Sequence, residues 1–494
     1  MNDGELLRHV FKTTCLMVLI ILACRFTSGA AAIAVALVGG MFAMQGKADK
    51  FLMCYLLLPF MIILNPMVLG AEGHFFVFVR IGNLMLNGLM ILRGISGRRG
   101  RRRLPVAIMY VYLAVACLSS ATGWFPLISY LKIVNFLLFF SGLYFAAQDM
   151  QYSDRVLLHV RVIFLSFAVI LFLGSIAVLP FPAIAYLTSA RHMIGEIGLD
   201  GANEAISEMS GMRLFAGITN HSQTLGPLSV CLGVWVVCDM LFVVKKFSKL
   251  HMGILAVAPV IFFMTRSRTA MGAFVFAMLF LYFYAVGRAQ ISNLVKGRVR
   301  RLFNLFFGAL VLGAVMAELK SNALSRWIQK TDDVGVRQES GLFGRAIESR
   351  WESVERNMGD FKRNPLLGMG FQVDERLVYA YQGGYASLIS ASVEKGNVLA
   401  MVFGETGIAG GFVFLCFLIS FYATCMRKHY MALMTMFTCF FVSNMGECTF
   451  FSPTATGGIM WLCVGVGGFA IDLIVIRAQQ REMAGGFAMR ARVW

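Results

Sequence analysis

Apolar runs of about twenty residues recur along nearly the whole chain, and no other feature narrows its possible folds as sharply. Wound as an α-helix at ~1.5 Å per residue, such a run matches the ~30 Å hydrocarbon thickness of a bilayer. A segment in lipid must satisfy every backbone N–H and C=O internally, which leaves helices or closed barrels. Barrel strands alternate apolar and polar residues with period two, and this chain does not. With 58% of its 494 residues hydrophobic and only 14% charged, it does not have the composition of a soluble domain. The expected fold is an all-α polytopic membrane protein.

Spans are predicted at 8–24, 27–44, 51–69, 75–92, 104–121, 127–148, 156–180, 217–244, 250–265, 269–287, 302–319, 397–425, 431–447 and 455–476. Lysine and arginine collect in cytoplasmic connections. The cluster Arg93, Arg98, Arg99, Arg101, Arg102 and Arg103 sets one connection inside. Counting spans from there puts Lys245, Lys246 and Lys249 inside, then Arg288–Arg301, then Arg427 and Lys428, and finally the Arg477–Arg492 tail. The net charge of +18 is thereby read as a topology signal rather than as a nucleic-acid surface. Fourteen spans with both termini cytoplasmic follow. The organisation expected is a first membrane part over 1–319, an external loop over 320–396, three last spans over 397–476 and a basic cytoplasmic tail over 477–494. Residues 181–215 and the short Thr265–Arg268 connection share the external side, expected to be the periplasm of a Gram-negative cell. Nothing at the acidic N-terminus, with Asp3 and Glu5, resembles a cleaved signal.

Segment 320–396 is the one long polar interruption, and long ordered loops on a membrane scaffold are where function concentrates. Its eleven basic and ten acidic residues nearly balance, as suits an exported segment with internal ion pairs. Gly341-Leu342-Phe343-Gly344-Arg345 precedes an expected amphipathic helix that ends before Pro365. Trp351, Val354, Met358 and Phe361 mark its apolar side, expected to pack on the membrane domain. Arg345 and Arg350 read either as substrate contacts or as helix-surface charges. Tyr385, beside Gly383-Gly384, offers an aromatic face for a sugar, although interfacial tyrosines need no ligand to explain them. All eleven cysteines lie in spans or at their ends, so neither a disulfide framework nor a thiolate metal site is expected in the loop.

Two external re-entry points carry arginines. One is Arg213-Leu214-Phe215-Ala216-Gly217-Ile218-Thr219-Asn220-His221, and the other is Thr265-Arg266-Ser267-Arg268-Thr269-Ala270. An arginine at bilayer depth costs about 2.5–3.5 kcal/mol on insertion scales. It either snorkels to the interface or is kept for a partner, and a guanidinium fork suits a phosphate or pyrophosphate. No phosphate-binding glycine loop, zinc-protease helix or serine-nucleophile turn occurs, so neither a nucleotide, a metal nor any other cofactor is expected.

These stretches resemble the O-antigen ligase and O-antigen polymerase superfamily of bacterial membrane glycosyltransferases. The resemblance covers roughly 200–450 and rests on Arg213–Gly217 with Asn220-His221, on Thr265–Ala270, and on the loop motifs. The loop motifs are Gly344-Arg345, Trp351, Asn364-Pro365-Leu366-Leu367-Gly368-Met369-Gly370, and the closing Asn397 with Glu405-Thr406-Gly407-Ile408-Ala409-Gly410. It implies a GT-C-like helical bundle in the inner membrane that uses an undecaprenyl-diphosphate-linked glycan without metal. The acceptor is either lipid A-core (ligase) or another lipid-linked repeat (polymerase, with a chain-length regulator as possible partner). Arg213 and Arg266 or Arg268 would hold the donor diphosphate. Gly217, Asn220, Arg345, Arg350, Trp351, Tyr385 and Asn397 would line the substrate path. Candidate bases are His221, Glu405, Glu394 and His192. The ligases carry a histidine just before the asparagine that opens the span after the loop, where this chain has Gly396-Asn397. Polymerisation is therefore the leading expectation and ligation its alternative. A lipid-linked sugar or anion transporter is the rival class, resting on Arg80, Lys132 and Arg161, which lie within spans and otherwise lack a role.

Overall fold

In the computed structural model, the residues described are 3–27, 30–64, 73–96, 106–181, 185, 215–219, 222–265, 267–287, 342–373, 396–446, 448–453 and 456–491, with isolated positions between 297 and 308. They are almost wholly helical, with one isolated antiparallel bridge from Leu64 to Thr219. The helices are α1 (Asp3–Phe26), α2 (Ala30–Met44), α3 (Ala48–Ile63), α4 (Gly73–Ser96), α5 (Ala107–Ala121), α6 (Pro126–Asp149) and α7 (Asp154–Ala177). After them come α8 (Ser222–Cys238), α9 (Lys249–Met264), α10 (Arg268–Gly287), α11 (Leu342–Arg363), α12 (Val398–Lys428), α13 (Met431–Ser443), α14 (Thr456–Leu462) and α15 (Phe469–Ala491).

Among the described residues, six stretches are long and apolar enough to cross a membrane, including Asp154–Ala177, Thr224–Val244 and Thr456–Glu482. The chain is a multi-pass helical membrane protein. Each predicted span meets a helix except 302–319, which falls largely outside the described residues. Two boundaries differ from expectation. The helix placed after Gly341–Arg345 already starts at Leu342, and the basic tail continues α15 to Ala491 rather than leaving the helix at 477.

Local chemistry explains the ends. Asn397 caps α12 by accepting from the Leu399 and Ala400 amides, as a short polar side chain does at an N-cap. Both carboxylate oxygens of buried Asp472 accept from the first amides of α13, Ala432 and Leu433, each at 2.9 Å. Two π-helical turns, Asp239–Val244 after α8 and Cys463–Gly468 between α14 and α15, widen the helices they interrupt.

The two ends of the bundle differ in chemistry. At one end lie Arg93 paired with Asp149 (3.1 Å), Lys246 with Asp3 (2.7 Å), and Arg477 and Arg481 both on Asp154. Lys245 and the Arg427-Lys428 pair share it through helix alternation. Two turns inward, Asp239 takes Arg161 Nε at 2.7 Å and His251 Nε2 at 2.8 Å, all three side chains being buried. The opposite end holds Ser267–Ala270, Asn397 and the 364–370 loop.

Candidate functional site

Glycine at 407 breaks α12. Its φ of 61° and ψ of −161° belong to a backbone region essentially closed to other residues. An unbroken helix would join the Ile408 amide to the Gly404 carbonyl and the Ala409 amide to the Glu405 carbonyl. The 364–370 loop takes both pairs apart and satisfies all four groups itself. Met369 N–H donates to Gly404 O (3.0 Å) and Gly370 N–H to Glu405 O (3.0 Å). Ile408 N–H donates to Pro365 O (2.8 Å) and Ala409 N–H to Leu366 O (3.2 Å). Two stretches with forty residues between their centres are thus one unit of structure.

The loop is as tightly fixed from its other side. Trp124 N–H donates to Met369 O, Ser119 Oγ to Glu405 O (2.5 Å), and Ser129 Oγ to Phe371 O (2.8 Å). Lys132 Nζ donates to Gln372 O at 2.7 Å from a buried position on α6. Gly368 and Gly370 have φ of 73° and 106°, and a Cβ on Gly368 would sit 2.3 Å from the Glu405 carbonyl carbon. Only glycine fits so close an approach of two backbones. Beneath lie Phe371, Phe136 and Phe451, with the Phe371–Phe451 centroids 5.2 Å apart and edge-to-face.

The remaining stretches join the same end through a chain of contacts. Asn397 Nδ2 donates to Met445 O (3.2 Å) and Val398 N–H to Asn444 O (3.0 Å). The next residue, Gly446, lies so close to Thr269 that a Cβ would be 2.2 Å from its methyl group. Ser267, on the connection before α10, packs on Gly226 of α8, where a Cβ would be 2.6 Å from its own. Gly217, with φ of 57°, turns the chain onto the end of α7, where the Ile218 amide meets Ser175 Oγ. The described parts of these stretches, Gly217–Thr219, Ser267–Ala270 and the 364–370 and 397–410 segments, are thus linked through neighbouring residues.

Among the candidate residues, Arg268 begins α10, with its Nη1 enclosed by protein. Glu405 is fully buried beneath the loop, near Tyr112. Asn397 spends both ends of its amide on the cap and on Met445. Trp351 does not pack as expected. It is 60% exposed, and the face of α11 turned to α12 instead carries Ser353, buried Asn357 and Phe361, the last edge-to-face with Phe403. The small contacts made by Gly396 and Gly404 admit α11 that closely, and a tryptophan does not fit there. Arg345 and Arg350 lie on α11 with their side chains outside the description, while Arg213, Asn220, His221, Arg266 and Tyr385, with His192 and Glu394, lie outside the described residues altogether.

Two residues here gave little sequence signal. Arg363 stacks over the Trp124 ring at 5.3 Å and is half exposed beside the loop; its place directly before Asn364-Pro365 was the available clue. Lys132, a foothold of the transport reading, donates to the loop backbone, and Arg161, another, is bonded to Asp239 at the opposite end. Replacing Lys132 with methionine removes a charge-assisted hydrogen bond and is expected to cost about 1.5–3 kcal/mol. A fall in the thermal midpoint of the purified protein, with faster proteolysis after Gly370, would register it; an unchanged midpoint would contradict this role.

Neither a scan against protein-family models nor a search of curated proteins finds a match to this chain.

Proposed function

We propose that this protein polymerises undecaprenyl-diphosphate-linked oligosaccharide repeats at the periplasmic face of the inner membrane, as a metal-independent glycosyltransferase with fourteen spans in a GT-C-like arrangement. The supporting observation is the contact chain from Gly226 through Ser267, Thr269, Gly446 and Asn397 to the Glu405–Gly370 junction, at the end opposite the basic clusters. Stretches separated in sequence converge there, as residues serving one reaction must. Under the positive-inside rule that end faces outward, where the lipid-linked donor is offered.

In this reading Arg268 and Arg213 grip the donor diphosphate, and Arg363 adds a cation on the same rim. Charge grows on the departing diphosphate as the glycosidic bond breaks, so fixed guanidinium donors supply the main rate enhancement. Glu405 holds the loop through its backbone carbonyl, and its carboxylate, at 0% exposure, does not meet an acceptor hydroxyl. Gly396 favours polymerisation over ligation. The resemblance puts a histidine there in ligases, but this backbone has φ of 72° and would set a Cβ 2.7 Å from that of Ser353.

Purified protein given undecaprenyl-diphosphate-linked repeats is expected to build a ladder of longer glycans, unaffected by EDTA. Arg268→Ala and Arg213→Lys should each lower the rate about 10²–10³-fold, the usual effect of removing a transition-state donor, while the protein still inserts. In a deletion strain, single capped repeats on the core support polymerisation and polymer-free core indicates ligation. Unchanged surface glycans would sink both.

A further inference from the structure

At the basic end a cavity of about 520 Å³ opens between α1, α7, the π-turn after α8, and α15. That lies within the ~300–1,000 Å³ of ordinary small-ligand sites. Four cations line it: Arg161, Lys246, Arg477 and Arg481, with Asp3 and Asp154 as the lining acids. Arg477 and Arg481 share the single carboxylate of Asp154, so one positive charge there is left over. The remaining wall is aliphatic, with Leu157, Val243 and Ile474.

Topology alone accounts for arginines and lysines at helix ends. It does not account for Arg161, two turns into a strongly apolar helix. That side chain is 7% exposed, is held through Nε by Asp239, and its buried Nη2 makes no hydrogen bond among the described residues. Among the described residues, a second hollow of about 670 Å³ has Arg93 as its lining cation, and Asp149 neutralises it.

We infer that the cavity lined by Arg161, Lys246, Arg477 and Arg481 binds a phosphate oxyanion, carried by the head group of an anionic phospholipid from the adjoining leaflet. Guanidinium groups match phosphate oxygens with paired N–H donors. Basic pockets between helices at this depth suit anionic head groups, and the aliphatic wall beside the cations suits the start of an acyl chain rather than a free ion. The site is distinct from the glycan-transfer reading and stands or falls apart from it.

Full-length protein in a neutral detergent is titrated with palmitoyl-oleoyl-phosphatidylglycerol, with the matching phosphatidylcholine, and with inorganic phosphate, and followed by native mass spectrometry. Phosphatidylglycerol is expected to bind at least about tenfold tighter than phosphatidylcholine, at about 1 kcal/mol per cation. R477Q/R481Q should erase that preference, and R427Q/K428Q, basic but outside the cavity, should keep it. Equal binding of the two lipids overturns the proposal, as does equal weakening by both double variants. Inorganic phosphate that displaces phosphatidylglycerol at millimolar concentration overturns the lipid as source. If R477Q/R481Q does not fold, Lys246→Gln serves in its place, with a smaller loss of preference expected and none counting against the site.

Discussion

Gly407→Ala should destabilise the protein by about 4 kcal/mol or more, the sum of a backbone conformation costing alanine ~1–3 kcal/mol and of buried polar groups losing their partners. Its Cβ would lie 2.3 Å from the Leu366 carbonyl oxygen, and no side chain can move aside because the obstacle is backbone. Two outcomes are open to the variant. Either α12 keeps its break and pushes the loop off, or α12 straightens and strands the Pro365, Leu366, Met369 and Gly370 backbone groups. Both release 364–370 from the bundle. Gly253→Ala makes the contrast: it lies within α9 with nothing within 4 Å of its would-be Cβ, so it should be neutral or gain up to ~1 kcal/mol. Unfolding of the purified protein in mixed micelles compares the two. If Gly407→Ala unfolds at the wild-type midpoint, the helix break is not fixed by the loop.

Asp239→Ala comes second, at about 3–5 kcal/mol, because removing one member of a buried ionic group leaves the others uncompensated. Arg161 Nε and His251 Nε2 both lose their acceptor, His251 being fully enclosed and Arg161 only 7% exposed at the wall of the basic cavity. Most of that cost lies in the orphaned arginine. The double variant Asp239→Leu/Arg161→Met should therefore recover the larger part of it. Thermal unfolding of the three proteins checks the cycle. A single variant within ~1 kcal/mol of wild type, or a double variant no better than the single, would show that the cluster is not energetically closed.

Apolar run length and the placement of lysine and arginine made the helices and their alternation legible. The bilayer imposes both patterns directly on composition, and Asn397 announced a helix start in the same local terms. The break at Gly407 was not legible. Glu405-Thr406-Gly407-Ile408-Ala409-Gly410-Gly411 has the small-residue look of any close-packed membrane helix, and what singles out Gly407 is a backbone forty residues away. Lys132 hid for the same reason: its partner is a main-chain carbonyl, which leaves no trace in side-chain chemistry. Trp351 misled because hydrophobicity marks an apolar face, whereas the α11–α12 contact selects small residues that let two backbones approach. The four bonds that join 364–370 to α12 are all backbone to backbone, and such bonds leave no mark on residue type.

The exchange of partners at Gly407 also constrains biogenesis. Segment 364–370 leaves the ribosome before α12 exists, and α12 can take its broken form only once that segment supplies its partners. A break made before the two meet would leave four main-chain groups unpaired, each at a cost of several kcal/mol in lipid. Docking of 364–370 and the breaking of α12 are therefore a single late committed event, and a nascent chain stalled before it is the form that quality-control proteases would find.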